Sequence, residues 1–285
     1  FVMDDGWFGH RDDDTTSLGD WFVDKRKLPH GLTPIIEKCE ELGMTFGLWF
    51  EPEMISEDSD LYRAHPDWCI RQEGRPYCLG RKQLILDLSR QEVLDYLKET
   101  VGGMLAANRI SYVKWDMNRH MTDAYSAALP PERQSELFHR YILNLYDLLD
   151  YLTTTFPDVI FEGCSGGGGR FDAGMLYYMP QTWTSDDSDA IERLKIQYGT
   201  SFAYPPQCMT AHISASPNHQ MGRVTPYDTR ARVAMSASFG YELNPLHLTD
   251  EEREEIKNQT ARYKKIAPLV TEGDFYRLIS PFDRN

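Results

Sequence analysis

The sequence is poor in cysteine and contains no CxxC pair. Cys39, Cys69, Cys78, Cys164 and Cys208 form an odd, scattered set in 285 residues. That excludes a disulfide framework and favours a reducing compartment, so a cytoplasmic location is expected. No run of about 18 uninterrupted apolar residues exists, and no membrane-spanning helix is expected. HExxH is missing, and His10, His120, His212 and His219 lack ligand spacing, so neither metal nor cofactor is expected. There is no GxSxG elbow, and the glycine-rich stretch lacks the GK[ST] of a Walker loop. Positive charge is short as well: 30 Lys and Arg against 44 Asp and Glu leave a net charge of −14. Such a surface repels phosphate backbones and anionic membranes, which excludes nucleic acid and lipid partners and leaves room for a neutral small molecule. The same acidity also serves plain solubility. The chain opens on Phe1, not Met, inside a strand-like run; the natural start is expected upstream, and a missing signal peptide is uninformative.

The chain does have length, aromatics and alternation. Its apolar fraction of 41% and charged fraction of 26% suit an ordinary globular α/β domain. The 16 Tyr, 13 Phe and 6 Trp would serve a sugar site, where rings stack on pyranose faces, and equally a large core. Short apolar runs recur at Phe1–Met3, Thr45–Phe50, Tyr112–Asp116, Val159–Glu162, Gln181–Ser185, Cys208–Ile213 and Gly240–Leu243, as expected of strands buried on both faces. Helical patterns separate them. Thr33-Pro34 reads as N-cap and first helical residue, with Ile35, Ile36, Cys39 and Leu42 on one face. Ser89 with Glu92, and Thr249 with Glu252, read as capping boxes. Leu137, Tyr141, Leu145, Leu148 and Leu152 form a long stripe, and Thr225-Pro226 opens another helix. This alternation predicts parallel pairing: a (β/α)8 TIM barrel with one βα unit absent, or else a doubly wound sheet. Residues 56–88 read as a long excursion at one end of the strands, with Leu84–Leu88 extended.

In parallel barrels the functional groups sit at the C-terminal ends of strands. Carboxylates recur there: Asp4-Asp5, Glu51 after Trp49, Asp116, and Asp186-Asp187. A single Asp at a strand end is a common loop starter or helix cap; four such ends together point to chemistry. In Lys114-Trp115-Asp116-Met117-Asn118, the period of two puts Lys114 and Asp116 on one side, where a lysine would keep a nucleophilic carboxylate ionised. A structural ion pair is the competing reading. In Trp183-Thr184-Ser185-Asp186-Asp187-Ser188-Asp189, the later acids suit a helix start near Ala190. Asp186, nearest the strand, suits a general acid, which a neighbouring ionised Asp116 would hold protonated. The run Cys164-Ser165-Gly166-Gly167-Gly168-Gly169-Arg170 would let a backbone approach a phosphate or a sugar ring closely.

These stretches, with Phe1-Val2-Met3-Asp4-Asp5-Gly6-Trp7-Phe8-Gly9 and Gly47-Leu48-Trp49-Phe50-Glu51-Pro52-Glu53, resemble in sequence and order the bacterial α-galactosidases of glycoside hydrolase family 36. The resemblance covers nearly the whole chain. It implies a retaining hydrolase of terminal α-D-galactosides of the melibiose and raffinose type, with Asp116 as nucleophile and Asp186 as acid/base. By resemblance, Asp4 and Asp5 hold galactose hydroxyls, the axial one included, and Trp49 walls the pocket. Arg81, Lys114 and Asn118 contact the sugar, and Cys164 and Gly166 close around the ring. Retaining pairs lie roughly 5–5.5 Å apart. No cofactor or metal is implied. A related galactosyltransferase, an inactive sugar-binding homologue and an α-N-acetylgalactosaminidase share much of this pattern. The Cys164–Arg170 loop favours a 2-hydroxyl over an acetamido group. Residues 1–273 are then an incomplete catalytic barrel and 274–285 an exit segment toward a C-terminal β domain. The complete protein is expected to be a homo-oligomer, and residues 1–285 alone to be poorly soluble or inactive.

Overall fold

The computed structural model describes residues 1–283 other than Glu73 and Tyr77. Of the expected exit segment 274–285, Arg284 and Asn285 lie outside the described residues. The chain divides into two units, Phe1–Gly166 and Gly167–Asn285.

The first unit carries β1 (Val2–Met3), α1 (Thr33–Glu41), β2 (Gly47–Phe50), β3 (Met54–Ile55), α2 (Asp60–Ala64), β4 (Leu84–Ile85), α3 (Gln91–Ala107), β5 (Tyr112–Trp115), α4 (Leu137–Thr155) and β6 (Ile160–Gly163). Strands β1, β2, β5 and β6 pair in parallel in that order. Every residue of β2 is buried, which accounts for its unbroken apolar sequence. Val93, Leu94, Leu97, Val101 and Leu105 of α3 are buried, as are Leu137, Tyr141, Leu145, Leu148, Leu149 and Leu152 of α4. Each set recurs every three or four residues, the stripe of a helix with one face on the core. Between β2 and α3 the excursion folds as a small antiparallel pair, β3 with β4, plus α2, whose N-cap Ser59 accepts from Tyr62 N.

The second unit carries α5 (Ala173–Tyr178), β7 (Gln181–Trp183), α6 (Ala190–Thr200), β8 (Met209–Ile213), α7 (Tyr227–Ala234), β9 (Ser238–Tyr241) and α8 (Asp250–Glu272). Strands β7, β8 and β9 are parallel. Met209, Ala211 and Ile213 pack on Ala231, Ala234, Met235 and Ala237, with Tyr263 and Ile266 of α8 against them.

Both units are therefore α/β with parallel strands, and each apolar run of the sequence overlaps a strand, the last of them lying earlier than expected, at Ser238–Tyr241 rather than Gly240–Leu243. Thr249 and Glu252 form the expected capping box at α8. Three expected helix starts are corrected. Leu32, not Thr33, is the N-cap of α1, and Leu42 beyond its end is 60% exposed. Helix α3 begins after Arg90 without a side-chain cap, because Ser89 Oγ donates to Asp87 Oδ1 at 2.5 Å instead. Helix α7 begins at Tyr227 with Pro226 as N-cap. No helix among the described residues is long and apolar enough to cross a membrane.

Candidate active site

Asp116 directly follows β5. Its N–H bonds to Phe50 O at 2.8 Å, so the parallel ladder fixes its backbone. The side chain is 6% exposed. Oδ2 accepts from Asn118 Nδ2 at 2.6 Å and from Trp49 Nε1 at 3.3 Å, while Oδ1 accepts from Met117 N at 2.9 Å. Trp49 lies opposite Lys114 in the β2–β5 register. Its ring is stacked on Phe8 and tilted against Trp21, so the indole N–H is held in place by packing. The result is a buried carboxylate with a fixed orientation.

Behind it lies a second buried acid. Glu51 Oε1 accepts from Asn118 N at 2.5 Å, and Oε2 accepts from Gln83 Nε2 at 3.2 Å. Burial first, and the Asp116 charge second, raise the Glu51 carboxyl above its ordinary range; Asn118 and the Arg81 charge oppose the rise. Arg81 itself is exposed and adopts φ 49°. The raised value makes the folded state the better proton binder. The stability this gives is complete below the ordinary carboxylate range and is lost as pH rises through the folded value. Glu51→Gln keeps an acceptor for Asn118 and turns an amide toward Gln83, whose Oε1 now has no partner. Denaturant titrations at neutral and mildly alkaline pH should show wild-type stability falling with pH and the variant flat; parallel curves would contradict this assignment.

At the end of β1, Asp4 Oδ2 pairs with Lys114 Nζ at 3.1 Å. Lys114 lies opposite Glu162 in the β5–β6 register. Burial would lower its ammonium pKa, but Asp4, Glu162 and Cys164 outweigh that and raise it. Lys114 is thus engaged with Asp4, while Asp116 is held through Trp49, Asn118 and Met117. Asp5 is gripped by Arg11, whose Nε and Nη2 reach its two carboxylate oxygens at 3.0 and 2.8 Å. Cys164 is buried and outside any disulfide, and its backbone N–H bonds to Trp115 O at 2.8 Å. Gly166 has φ 53°, with open space where a Cβ would stand.

In the second unit, Asp186 follows β7 and is exposed. Trp183 Nε1 donates to its Oδ1 at 3.1 Å, and Gln220 Nε2 donates to its backbone oxygen. The Trp183 ring has the buried Arg193 guanidinium over it at 4.3 Å. Arg193 Nη1 donates to Thr184 Oγ1 and Ser185 O, and its Nη2 to Thr210 O, tying the strand end down. Asp189 caps α6, accepting from Ile191 N and Glu192 N, and Asp187 accepts from Asp189 N. Asp189 thus takes the helix-start role expected among the later acids. Gly167 and Gly168 press on the backbone of Thr184 to Asp186. A Cβ at Gly167 would fall 2.6 Å from Ser185 Cα, and one at Gly168 would fall 2.7 Å from Thr184 O. The close approach these glycines make is to the chain that carries Asp186.

Sequence reasoning passed over Arg11, Gln83, Glu162 and Arg193, and it gave Glu51 no partner. Glu51 and Glu162 carried a signal, each an acid closing an apolar run. Among the described residues no group of three or more His, Cys, Asp or Glu gathers as a metal site.

Comparison with known proteins places this arrangement. The Melibiase family profile matches residues 1–273. The α-galactosidase AgaA of Geobacillus stearothermophilus is 60% identical over 284 residues, covering 100% of this chain and 39% of that protein. Mel36A of Lactobacillus acidophilus is 54% identical over 278 residues, 98% of this chain and 38% of its own. The crystal structure of the family 36 AgaA superposes with a TM-score of 0.96 over 99% of this chain and 39% of that one. The chain thus spans about two fifths of the length of these relatives. A family match over residues 1–273, with 60% identity to AgaA across the whole chain, shows that the chain belongs to the Melibiase family, alongside the family 36 α-galactosidases.

Proposed function

We propose that this chain is the catalytic part of a retaining α-galactosidase that removes terminal non-reducing α-D-galactosyl residues from melibiose- and raffinose-type sugars. The observation that carries the reading is the buried Asp116 carboxylate, held by three N–H donors at the end of β5. In this reading Asp116 attacks the anomeric carbon while Asp186 protonates the departing glycosidic oxygen. Asp186 then takes a proton from water, which attacks the galactosyl–Asp116 ester from the face the aglycone left, and α-galactose is released. Asp4, Asp5, Lys114, Asn118, Arg81 and Cys164 bind the sugar, Gly166 gives the loop its turn, and Trp49 walls the pocket. A variant of AgaA has been crystallised with raffinose, which supports that substrate class for this chain.

The parallel strands of the two units are proposed to belong to a (β/α)8 barrel whose first βα unit is not in this chain, with 274–285 leading out of it. The full-length protein is proposed to be a cytoplasmic homo-oligomer without nucleic-acid or membrane partners. The test is proton NMR of melibiose or p-nitrophenyl α-D-galactopyranoside treated with the full-length protein. First-formed α-galactose supports the reading. β-Galactose would make the enzyme inverting. Transfer to a sugar acceptor in preference to water would make it a galactosyltransferase.

A further inference from the structure

We propose that Arg11 is a positioning residue for galactoside recognition, acting through Asp5. The inference rests on the reading of Asp5 as a galactosyl contact and adds a residue that the motif does not contain.

The two adjacent aspartates after β1 are treated differently. Asp4, with its side chain 62% exposed, meets a point charge, Lys114 Nζ, through one oxygen. Asp5 meets a planar fork. Arg11 Nε lies 3.0 Å from its Oδ1 and Nη2 lies 2.8 Å from its Oδ2. Such a pair of parallel bonds fixes the plane of a carboxylate as well as its position, which a lysine does not do.

The exposures are lopsided: the Arg11 side chain is 3% exposed and that of Asp5 36%. An ion pair whose anion stays open to water adds little stability. Desolvating a guanidinium is costly unless its donors are used, and here they are. Nε and Nη2 go to Asp5 and Nη1 donates to Thr16 O at 2.8 Å, while the backbone is held separately, the Arg11 N–H bonding to Phe8 O at 3.1 Å and Lys27 Nζ donating to the Arg11 carbonyl. The cation is therefore anchored beneath the carboxylate, and the open side of the carboxylate faces outward. Oδ2 accepts from both Nη2 at 2.8 Å and Nε at 3.2 Å, whereas Oδ1 accepts from Nε alone and keeps a lone pair for a hydroxyl donor. That is the arrangement of a preorganised acceptor, held rigid before substrate arrives.

The experiment uses the full-length protein and p-nitrophenyl α-D-galactopyranoside, with Asp5→Asn, Arg11→Lys and the double variant. Arg11→Lys should lower kcat/KM by roughly 10- to 100-fold, the range for losing a charge-assisted pair. In the double variant the Arg11→Lys penalty should vanish, because there is no carboxylate left to orient. The 4-deoxy and 6-deoxy galactosides give a second readout: on the one lacking the hydroxyl that Asp5 accepts, Arg11→Lys should cost nothing further. Losses that multiply in the double variant, or a penalty equal on every deoxy substrate, mean Arg11 is structural and overturn the proposal. If Arg11→Lys does not fold, Arg11→Gln enters the same cycle. A wild-type protein without activity on any α-galactoside would instead overturn the function itself, which separates the two failures.

Discussion

Replacing Asp116 with alanine is expected to lower kcat/KM on p-nitrophenyl α-D-galactopyranoside by on the order of 10⁴-fold or more, because the covalent step is lost. Added azide should restore part of the turnover, with β-D-galactosyl azide as the product. The carboxylate that Asn118, Trp49 and Met117 hold in place would be gone. The small anion then enters the space left by the side chain and attacks opposite the leaving group, a single displacement with inversion. Mass spectrometry and NMR of the product check the assignment. Undiminished hydrolysis by the alanine variant would show that the strand-end reading of Lys114 to Asp116 is wrong.

Asp186→Ala should behave in the opposite stereochemical sense. Loss of a general acid costs about 10²- to 10⁴-fold, and most where the leaving group needs protonation. Melibiose should therefore suffer far more than the p-nitrophenyl substrate, whose phenolate departs unaided. The covalent intermediate should then accumulate, because no base activates water. Azide needs no base and should discharge the intermediate on the face that the aglycone left, giving α-D-galactosyl azide. The pair of azide products identifies the two carboxylates independently of any rate. Equal losses on both substrates would remove Asp186 from the acid role and shift attention to Asp187.

Much of this was legible because the relevant physics is local. Buried parallel strands are largely apolar, so Gly47–Phe50 announces itself at once and Met209–Ile213 does so despite Thr210 and His212. The capping role of Asp189 follows from its place just before the helix, since a cap accepts the first free N–H groups. The failures have a common cause in tertiary competition. Ser89 would cap α3 if left alone, but its hydroxyl is taken by buried Asp87. Lys114 pairs with Asp4, which follows β1 two strands across the sheet and 110 residues away in sequence, a contact that no local pattern announces. Arg11 lies in a loop with no periodicity, and only the folded chain brings its fork to Asp5. Glu51 shows the limit: its sequence position predicted a strand-end acid, but that it lies behind Asn118 needed coordinates.

The run of four glycines after Ser165 reads as one motif but holds two unrelated demands. At position 166 the requirement is a backbone angle, with empty space around it. Asparagine, which tolerates left-handed geometry, is an admissible replacement there. At 167 and 168 the requirement is room, because main chain lies where any side chain would begin. A saturation library across this run should therefore return a permissive first position beside two closed ones. Any attempt to reshape the loop for a bulkier sugar has its freedom at 166, since changes at the next two positions would displace the very strand end that bears Asp186.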